Sequence, residues 1–145
     1  MIKEIYFDEI CKLWEMLHPK REHKKYSTMG YLGGKDNMIN RDVFYFGYFI
    51  NNNLVGVNSC HDSEFDTFRS RGLFVLPKHR NKRIASKLLK HTLEFSKNHV
   101  DFVWSFPRIE ALSVYERVGF KRQSTFTSGD YGINCYASCE IEQNS

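Results

Sequence analysis

The chain has 145 residues, which predicts a single domain over residues 1–145 with a hydrophobic core of its own. Hydrophobic residues make up 41% and charged residues 26%, a composition typical of a soluble globular protein, and no apolar run is long enough to span a membrane. The net charge of +4 favours a polyanionic partner without choosing one.

The N-terminal segment predicts a strand followed by a helix. Residues 2–7 combine apolar and charged side chains in a short strand, and Asp8 is a suitable N-cap for the next element. The buried face of this helix is expected to carry Ile10, Leu13, Trp14 and Leu17. An N-terminal segment with this many charged residues is unlike a secretory signal. We therefore expect a cytoplasmic protein.

The middle of the chain predicts one helical or turn-rich segment and then three strands. Residues 20–25 are strongly basic, and residues 26–34 are expected to form a second helix that stops at two glycines. Residues 43–50 and 54–59 are rich in strand formers and are joined by three asparagines, which predicts an antiparallel hairpin. Residues 65–75 predict the strand that follows.

The stretch from Leu73 to Leu89 predicts a strand end, a basic turn and a helix. Pro77 cannot continue a central strand, and apolar residues recur at helical spacing from Ile84 onwards. A helix N-terminus offers unpaired N–H groups and partial positive charge, so the basic turn predicts a phosphate site near Arg83. A solvated basic loop is the alternative, because the turn contains no glycine-rich sequence.

The C-terminal third predicts a strand, a helix and a hairpin. Residues 100–106 are expected to form an apolar strand buried on both faces, and Pro107 is expected to open a helix that contains Tyr115. Residues 120–126 and 133–141 predict the terminal hairpin. The whole order, β-α-α-β-β-β-α-β-α-β-β, predicts an α/β (α+β) chain with a mixed, mostly antiparallel sheet flanked by helices.

The cysteines predict buried thiols and neither a metal site nor a disulfide. No pair has the Cys-x-x-Cys spacing of a zinc site. Cys135 and Cys139, four residues apart on a predicted strand, would lie roughly 13 Å from each other, which is too far for a disulfide. The four are Cys11, Cys60, Cys135 and Cys139.

Two motifs in the C-terminal half resemble one known superfamily. The run from Val75 to Leu89 reads Val-x-Pro-x-x-Arg-x-x-x-Ile-Ala-x-x-Leu-Leu, and Ala111 to Phe120 reads Ala-Leu-x-x-Tyr-Glu-x-x-Gly-Phe. Together they resemble the GCN5-related N-acetyltransferase (GNAT) superfamily. The resemblance implies that the strand ending at Val75 and the strand of residues 100–106 splay apart, with acyl-coenzyme A in the gap.

The resemblance also implies a cofactor site. The pyrophosphate of acetyl-coenzyme A would lie on the turn of residues 80–86, and its pantetheine arm would pair with the backbone of the preceding strand. The implied cofactor-binding residues are Phe74, Val75, Arg80, Asn81, Lys82, Arg83, Ile84, Ala85, Ser86 and Arg108. Coenzyme A, with its phosphate groups, would also account for the positive charge of the chain.

Tyr115 matches the position of the general acid in that superfamily. A tyrosine pKa near 10 and a thiol pKa near 8.5 are close enough for the hydroxyl to protonate the departing sulfur. An apolar face residue of the helix is the alternative interpretation of Tyr115.

Three positions depart from the superfamily pattern. Arg83 replaces the first glycine of the phosphate turn, where we expect it in a helical conformation, and Arg108 replaces an asparagine that contacts pantetheine. Arg69 stands where some members carry a glutamate base, and an arginine cannot act as one. Its nearby substitutes, in a segment otherwise expected to be an exposed hairpin turn, are His61, Glu64 and Asp66.

Arg69 and Arg71 share one side of their strand by the period of two. If that side faces the acceptor, the pair would suit a substrate carrying a carboxylate or a phosphate; otherwise the two arginines are surface charge.

The leading function is therefore an N-acetyltransferase that moves the acetyl group of acetyl-coenzyme A to a primary amine of a small or peptidyl acceptor, without a metal. A non-catalytic acyl-coenzyme A-binding protein of the same fold is the first alternative. A basic nucleic-acid-binding module is the second and is disfavoured, because the aromatic residues lie mainly in predicted core elements. We expect no membrane partner, and homodimers are common in the superfamily.

Overall fold

The computed structural model describes residues 1–17, 42–129 and 132–141. The second helix predicted over residues 26–34 lies outside these ranges, as do the side chains of Cys11, Trp14 and Leu17. The described elements, in chain order, are β1 (Ile2–Ile5), α1 (Phe7–Leu17), β2 (Val43–Ile50), β3 (Asn53–Ser63), β4 (Thr67–Val75), α2 (Ile84–Ser96), β5 (Phe102–Ser105), α3 (Leu112–Arg117), β6 (Lys121–Arg122), β7 (Thr127–Gly129), β8 (Gly132–Asn134) and β9 (Ala137–Glu140).

Seven of the strands form one sheet in the order β1-β2-β3-β4-β5-β9-β6, while β7 and β8 pair separately. Strands β4 and β5 are parallel, and the other pairs in both sheets are antiparallel. The predicted mixed, mostly antiparallel sheet with flanking helices is therefore confirmed. The parallel pair follows from α2, which carries the chain from the end of β4 back to the start of β5.

Helix α2 covers one face of the sheet and forms the main core with it. Ile84, Leu88 and Leu89 are buried against apolar residues of the strands, of which Phe46 and Val103 are almost fully enclosed. This burial follows from the three- and four-residue spacing of the apolar positions in α2. Helix α1 packs on a second cluster, and its described members with the deepest burial are Ile5, Ile10, Leu13 and Val57.

A buried polar cluster joins the sheet to α2. The side-chain amide nitrogen of Asn58 donates to Ser70 Oγ at 3.0 Å and to Thr92 Oγ1 at 2.9 Å, and all three residues are buried. Thr92 in turn donates to the backbone of its own helix at Leu88. Because buried donors are costly to leave without acceptors, this cluster holds α2 at one position along the sheet.

The helix predicted to open at Pro107 begins five residues later, and the predicted terminal hairpin is divided. Residues 107–109 pair with the chain before β9: Ile109 N donates to Ile133 O at 2.8 Å, and Cys135 N donates to Pro107 O at 3.2 Å. This pairing uses backbone groups that a longer α3 would need. It also separates β8 from β9, so residues 120–126 and 133–141 do not form two continuous strands.

Strand β5 is not buried on both faces, as its apolar sequence predicted. Val103 and Ser105 are buried under α2, whereas Phe102 is 44% exposed and Trp104 is half-buried on the other side. The prediction was wrong because the outward positions of this apolar run hold aromatic rings, and that of Trp104 contacts Arg69 and Tyr136 on the outer face.

Candidate active site

Strands β4 and β5 separate soon after they meet. Their pairing covers Phe68 with Val103 and Arg69 with Trp104, whereas β4 continues to Val75. At the point of separation, Ser105 Oγ donates to Ser70 O at 2.8 Å. The later half of β4 therefore has an edge that β5 does not cover, which is the splay implied by the superfamily resemblance.

An extra residue in β4 marks the start of this separation. Between the pairs Ser59–Arg71 and Val57–Phe74, β4 advances by three residues and β3 by two. Gly72 takes up the difference at φ 78°, a conformation in which glycine is favoured. The bulge changes the course of β4 as it leaves β5.

A cavity of about 800 Å³ lies between the end of β4, the basic turn, the start of α2 and α3. Its walls include nine of the ten residues predicted to bind a cofactor: Phe74, Val75, Arg80, Asn81, Arg83, Ile84, Ala85, Ser86 and Arg108. The tenth, Lys82, is not among the lining residues, and its ammonium nitrogen lies 3.4 Å from His79 Nδ1. The predicted residues thus surround one concave surface.

Helix α2 begins in this cavity without a side-chain cap. Arg83 is the N-cap residue, and its side chain makes no capping hydrogen bond to the helix. The first backbone N–H groups of α2 have no acceptor inside the helix, so they and the helix dipole favour an anion there. The four arginines of the lining add positive charge: Arg80, Arg83, Arg108 and Arg117.

The expected helical conformation of Arg83 is wrong. Arg83 has φ 61° and ψ 20°, which is the left-handed region, and Asn81 has φ 66°. Asparagine tolerates this region, but a side chain such as arginine holds it at a cost of about 1–2 kcal/mol. The chain therefore keeps the backbone shape for which a glycine is suited, with a guanidinium attached to it.

Two arginines of the cavity have contacts within the protein. Arg80 Nε donates to Val75 O at 3.0 Å, and its guanidinium carbon lies 5.3 Å from the centre of the Phe74 ring. Arg108 Nε lies 3.6 Å from a carboxylate oxygen of Glu110, in a pair that is well exposed and contributes little to stability. Arg80 thus links the basic turn to the end of β4.

Tyr115 is buried behind the cavity and is 4% exposed. Its ring packs edge-on against Phe120, with the ring centres 5.2 Å apart. Burial raises the pKa of Tyr115, while an interaction with the Ser105 side chain and the positive charge of Arg69 act in the opposite direction. The Tyr115 hydroxyl is therefore protonated at neutral pH and lies near the point where β4 and β5 separate.

The candidates for a general base lie in different environments. Glu64 and Asp66 are exposed in a short 3-10 turn, whereas His61 lies in β3 and is 3% exposed, so the expected exposed turn is wrong for His61. His61 Nδ1 lies 2.8 Å from Asp62 O. Since a carbonyl oxygen can only accept, the Nδ1–H of His61 is the donor in this contact.

Sequence reasoning missed several residues of the site. Ser105 was not singled out, although it contacts both β4 and Tyr115. Four lining residues in α3 and just before it were also missed, and the helical spacing after Arg108 was the available signal. These lining residues are Glu110, Ala111, Val114 and Arg117.

The comparison with protein families decides the relationship. Residues 7–120 match the model of the Acetyltransferase (GNAT) family. The chain belongs to the GNAT acetyltransferase family. No curated protein matches the sequence.

Solved structures of GNAT proteins share the fold at low sequence identity. An aminoglycoside 6'-N-acetyltransferase complexed with coenzyme A is 12% identical, with a TM-score of 0.75 over 100% of this chain and 99% of that one. An IAA acetyltransferase from Bacillus cereus is 16% identical, with a TM-score of 0.71 over 97% and 99%. A GNAT acetyltransferase from Staphylococcus aureus is 18% identical, with a TM-score of 0.69 over 98% and 100%.

The described ranges contain neither a membrane-spanning helix nor a cluster of metal-binding side chains. No helix there is both long and apolar enough to cross a membrane. No group of three or more histidine, cysteine, aspartate or glutamate side chains in the same ranges is arranged to hold a metal ion.

Proposed function

We propose that this GNAT protein transfers the acetyl group of acetyl-coenzyme A to a primary amine. The observation that carries the proposal is the cavity in which an uncovered edge of β4 meets the uncapped N-terminus of α2 and four arginines. A structural relative with the same fold is described as complexed with coenzyme A.

The residues of the cavity fit coenzyme A. The N–H groups at the start of α2, with Arg80, Arg83 and Ser86, would hold the negatively charged pyrophosphate. The edge of β4 near Phe74 and Val75 offers backbone groups to the amide-rich pantetheine arm. Arg108, across the cavity on the approach to α3, supplies a further donor.

Acetyl-coenzyme A supplies a thioester whose carbonyl carbon accepts a nucleophile. The acceptor must lose a proton before its nitrogen can attack, and we assign this step to His61 because it lies within the sheet beside Arg69. As the new C–N bond forms and the C–S bond breaks, Tyr115 donates its hydroxyl proton to the departing sulfur. Its position near Ser105 and the separation of the strands supports this role.

The first experiment measures acetyl-coenzyme A binding by calorimetry and by thermal unfolding. At about one hundred times the dissociation constant the cofactor should stabilise the fold by about 2.7 kcal/mol. Arg80→Ala should weaken binding roughly tenfold or more, because charged hydrogen bonds to phosphate are strong. Arg122→Ala, an exposed arginine outside the cavity, is the matched control and should bind as the unaltered protein does.

The second experiment measures thiol release with a panel of primary amines. Tyr115→Phe should lower kcat roughly 100-fold or more and leave acetyl-coenzyme A binding unchanged, because it removes only the hydroxyl. Full activity in Tyr115→Phe would show that Tyr115 is only a packing residue of α3.

A non-catalytic acyl-coenzyme A-binding protein is the second candidate. It is favoured by Arg83, which takes the place of a glycine, and by Arg108, which pairs with Glu110. Binding of acetyl-coenzyme A without thiol release from any amine would support this candidate over the acetyltransferase.

A further inference from the structure

The β7–β8 hairpin stands beside the segment that brings Arg108 to the proposed cofactor cavity. The backbone of Arg108 forms a bridge with Asn134 of β8. The side-chain amide of Asn134 also donates to Phe106 O at 2.9 Å, and because Asn134 is only 8% exposed, this hydrogen bond is largely shielded from water. Strand β8 therefore fixes the backbone from which the Arg108 side chain extends.

The guanidinium of Arg108 lies directly against the backbone of Gly132. The first carbon of a side chain at residue 132 would lie 3.1 Å from Arg108 Nη2, 3.3 Å from its Nε and 3.6 Å from its Cζ. The first two distances are shorter than an ordinary contact of about 3.5–4.0 Å. A side chain at residue 132 would therefore compete with the guanidinium for the same space.

Glu110 contacts the same guanidinium at another point. A carboxylate oxygen of Glu110 lies 3.6 Å from Arg108 Nε, and both residues belong to the wall of the cavity. The contacts with Gly132 and Glu110 do not use the hydrogen atoms on the two Nη nitrogens, which are donors of the guanidinium. These donors therefore stay available to a ligand in the cavity.

The residue opposite Gly132 in the hairpin has open surroundings. Gly129 of β7 pairs with Gly132 of β8, and directly paired residues project from the same face. A side-chain carbon at Gly129 would nevertheless meet nothing within 4 Å. The close approach to Arg108 thus belongs to residue 132 and not to the hairpin as a whole.

The backbone conformation of Gly132 also disfavours a side chain. Its φ is 110°, a conformation that glycine adopts far more readily than other residues. A side chain there would cost stability through strain, and it would also push the guanidinium of Arg108 aside. The two effects are separable, because the strain arises at residue 132 alone whereas the displacement requires Arg108.

We infer that Gly132 is a positioning residue for the cofactor, and that the β7–β8 hairpin sets the affinity for acetyl-coenzyme A through Arg108. This inference rests on the proposed function, in which Arg108 donates to the cofactor. Gly132 acts by leaving space in which the guanidinium stays at the cavity wall, while Asn134 holds the backbone of the same segment.

The test is a double-mutant cycle on the dissociation constant of acetyl-coenzyme A, measured by calorimetry. Arg108→Ala should weaken binding roughly tenfold, as expected when a charged hydrogen bond is lost. Gly132→Ala should weaken it about fivefold, and the double variant should bind within about twofold of Arg108→Ala, because the displaced group is already absent. Losses that multiply in the double variant, or an unchanged constant in Gly132→Ala, would overturn the inference.

Two further variants control for strain and for folding. Gly129→Ala alters the same hairpin without meeting a neighbour and should bind acetyl-coenzyme A as the unaltered protein does. If Gly132→Ala does not fold, Asn134→Ala takes its place, because it removes the hydrogen bond to Phe106 O and keeps Gly132. Asn134→Ala should weaken binding only when Arg108 is present. An equal loss with and without Arg108 would overturn the role of the hairpin.

Steady-state kinetics separate a positioning effect from damage to the reaction centre. Gly132→Ala should raise KM for acetyl-coenzyme A and leave kcat within about twofold at saturating cofactor, since it displaces a binding group and not Tyr115. A lower kcat with an unchanged KM would contradict the inference.

The failure of this inference is distinguishable from failure of the proposed function. If Arg108→Ala binds acetyl-coenzyme A as tightly as the unaltered protein while Arg80→Ala does not, the inference is overturned and the proposed cofactor site stands. If acetyl-coenzyme A binds without turnover of any amine, the acetyltransferase proposal fails, and the binding cycle still decides the inference. No binding by the unaltered protein would overturn both.

Discussion

Arg83 has the left-handed backbone conformation that suits a glycine, but it adds a charged side chain to the surface of the turn. Its left-handed conformation, at φ 61°, starts α2 at the position where the family has a glycine. The backbone path around the proposed phosphate site is therefore retained without glycine. The arginine side chain adds a charge there and occupies space that glycine leaves open.

Arg83→Gly is expected to keep or raise stability and to weaken acetyl-coenzyme A binding, because it removes one of the charges proposed to hold the pyrophosphate. Glycine relieves a left-handed strain of about 1–2 kcal/mol, offset by about 0.5–1 kcal/mol of backbone entropy. The unfolding free energy and the dissociation constant measure both effects. Unchanged or tighter binding in Arg83→Gly would show that the open backbone contributes more than the guanidinium. Gly119→Ala is the opposite control and should destabilise the fold, because Gly119 has φ 109°.

We expect the buried thiol of Cys60 to make the protein less stable in alkaline solution. Burial raises the pKa of its thiol from 9.0 to about 12; the side chain of Ser96 acts to lower it, and the charge of Glu4 adds to the rise. The folded state keeps the proton above pH 9 while the unfolded state releases it. Stability from this group is therefore complete below pH 9 and falls by about 1.4 kcal/mol per pH unit towards pH 12.

Denaturant unfolding of the unaltered protein and of Cys60→Ala from pH 8 to pH 11 measures this effect. Cys60→Ala costs stability at pH 8 because it leaves a small cavity, and this cost should shrink as the pH rises past 9. A cost that stays constant over the whole range would contradict the burial of the thiol.

At the scale of elements, the packing of α2 on β3 positions the proposed phosphate site. A side chain at Gly56 would lie 3.1 Å from Ile84 Cγ2, 3.1 Å from Leu88 Cδ1 and 3.4 Å from Phe74 O. Ile84 is the first residue of α2, and Phe74 belongs to the uncovered part of β4. The missing side chain of Gly56 therefore lets the two walls of the cavity come together.

Gly56→Val is expected to lower the unfolding free energy by about 1–3 kcal/mol, because it overfills a close contact. It should also weaken acetyl-coenzyme A binding, since the start of α2 must shift. Gly129→Val is the matched control, because a side chain there would meet nothing within 4 Å. Thermal unfolding and calorimetry on both variants test this. Loss of stability with unchanged binding would show that the start of α2 tolerates the shift.

The pairing of residues 107–109 with β8 is a second effect between elements. It delays α3 until Leu112 and brings Arg108 to the wall of the cavity. Helical spacing predicted the existence of α3 well, but it carried no information about a backbone pairing with a segment more than twenty residues away.

At the scale of the whole molecule, the described residues place a cluster of positive charge at the proposed cofactor cavity. Four arginines and one glutamate line it, and the chain has a net charge of +4. The attraction for coenzyme A should therefore depend on salt, whereas acetyl-pantetheine, which lacks the nucleotide and its pyrophosphate, should bind independently of salt.

Binding of acetyl-coenzyme A at 0.05 M and at about 1 M salt tests this prediction, since the screening length falls from more than 10 Å to about 3 Å. We expect a loss of affinity of roughly tenfold for acetyl-coenzyme A and little change for acetyl-pantetheine. Duplex DNA that binds more tightly than acetyl-coenzyme A at 0.15 M salt would favour the nucleic-acid alternative instead.

The sequence by itself determined the main elements and the identity of the family. Strand β2 was predicted with its observed bounds, and α2 with its observed start at Ile84, because strand-forming runs and helical spacing are local properties. The motifs from Val75 to Leu89 and from Ala111 to Phe120 predicted the family that the comparison confirmed. Nine of the ten residues proposed from these motifs line one cavity.

Only the tertiary structure decided how these elements meet. The separation of β4 from β5, the bulge at Gly72 and the left-handed Arg83 depend on contacts between distant segments, which local spacing does not encode. The environment of Trp104 also depends on such contacts. The apolar sequence predicts it as a core residue, whereas in the structure its ring packs against the guanidinium of Arg69. The sequence gives the chemistry of each side chain directly. The face of the sheet on which that side chain lies depends on strand register, which is a property of the whole sheet.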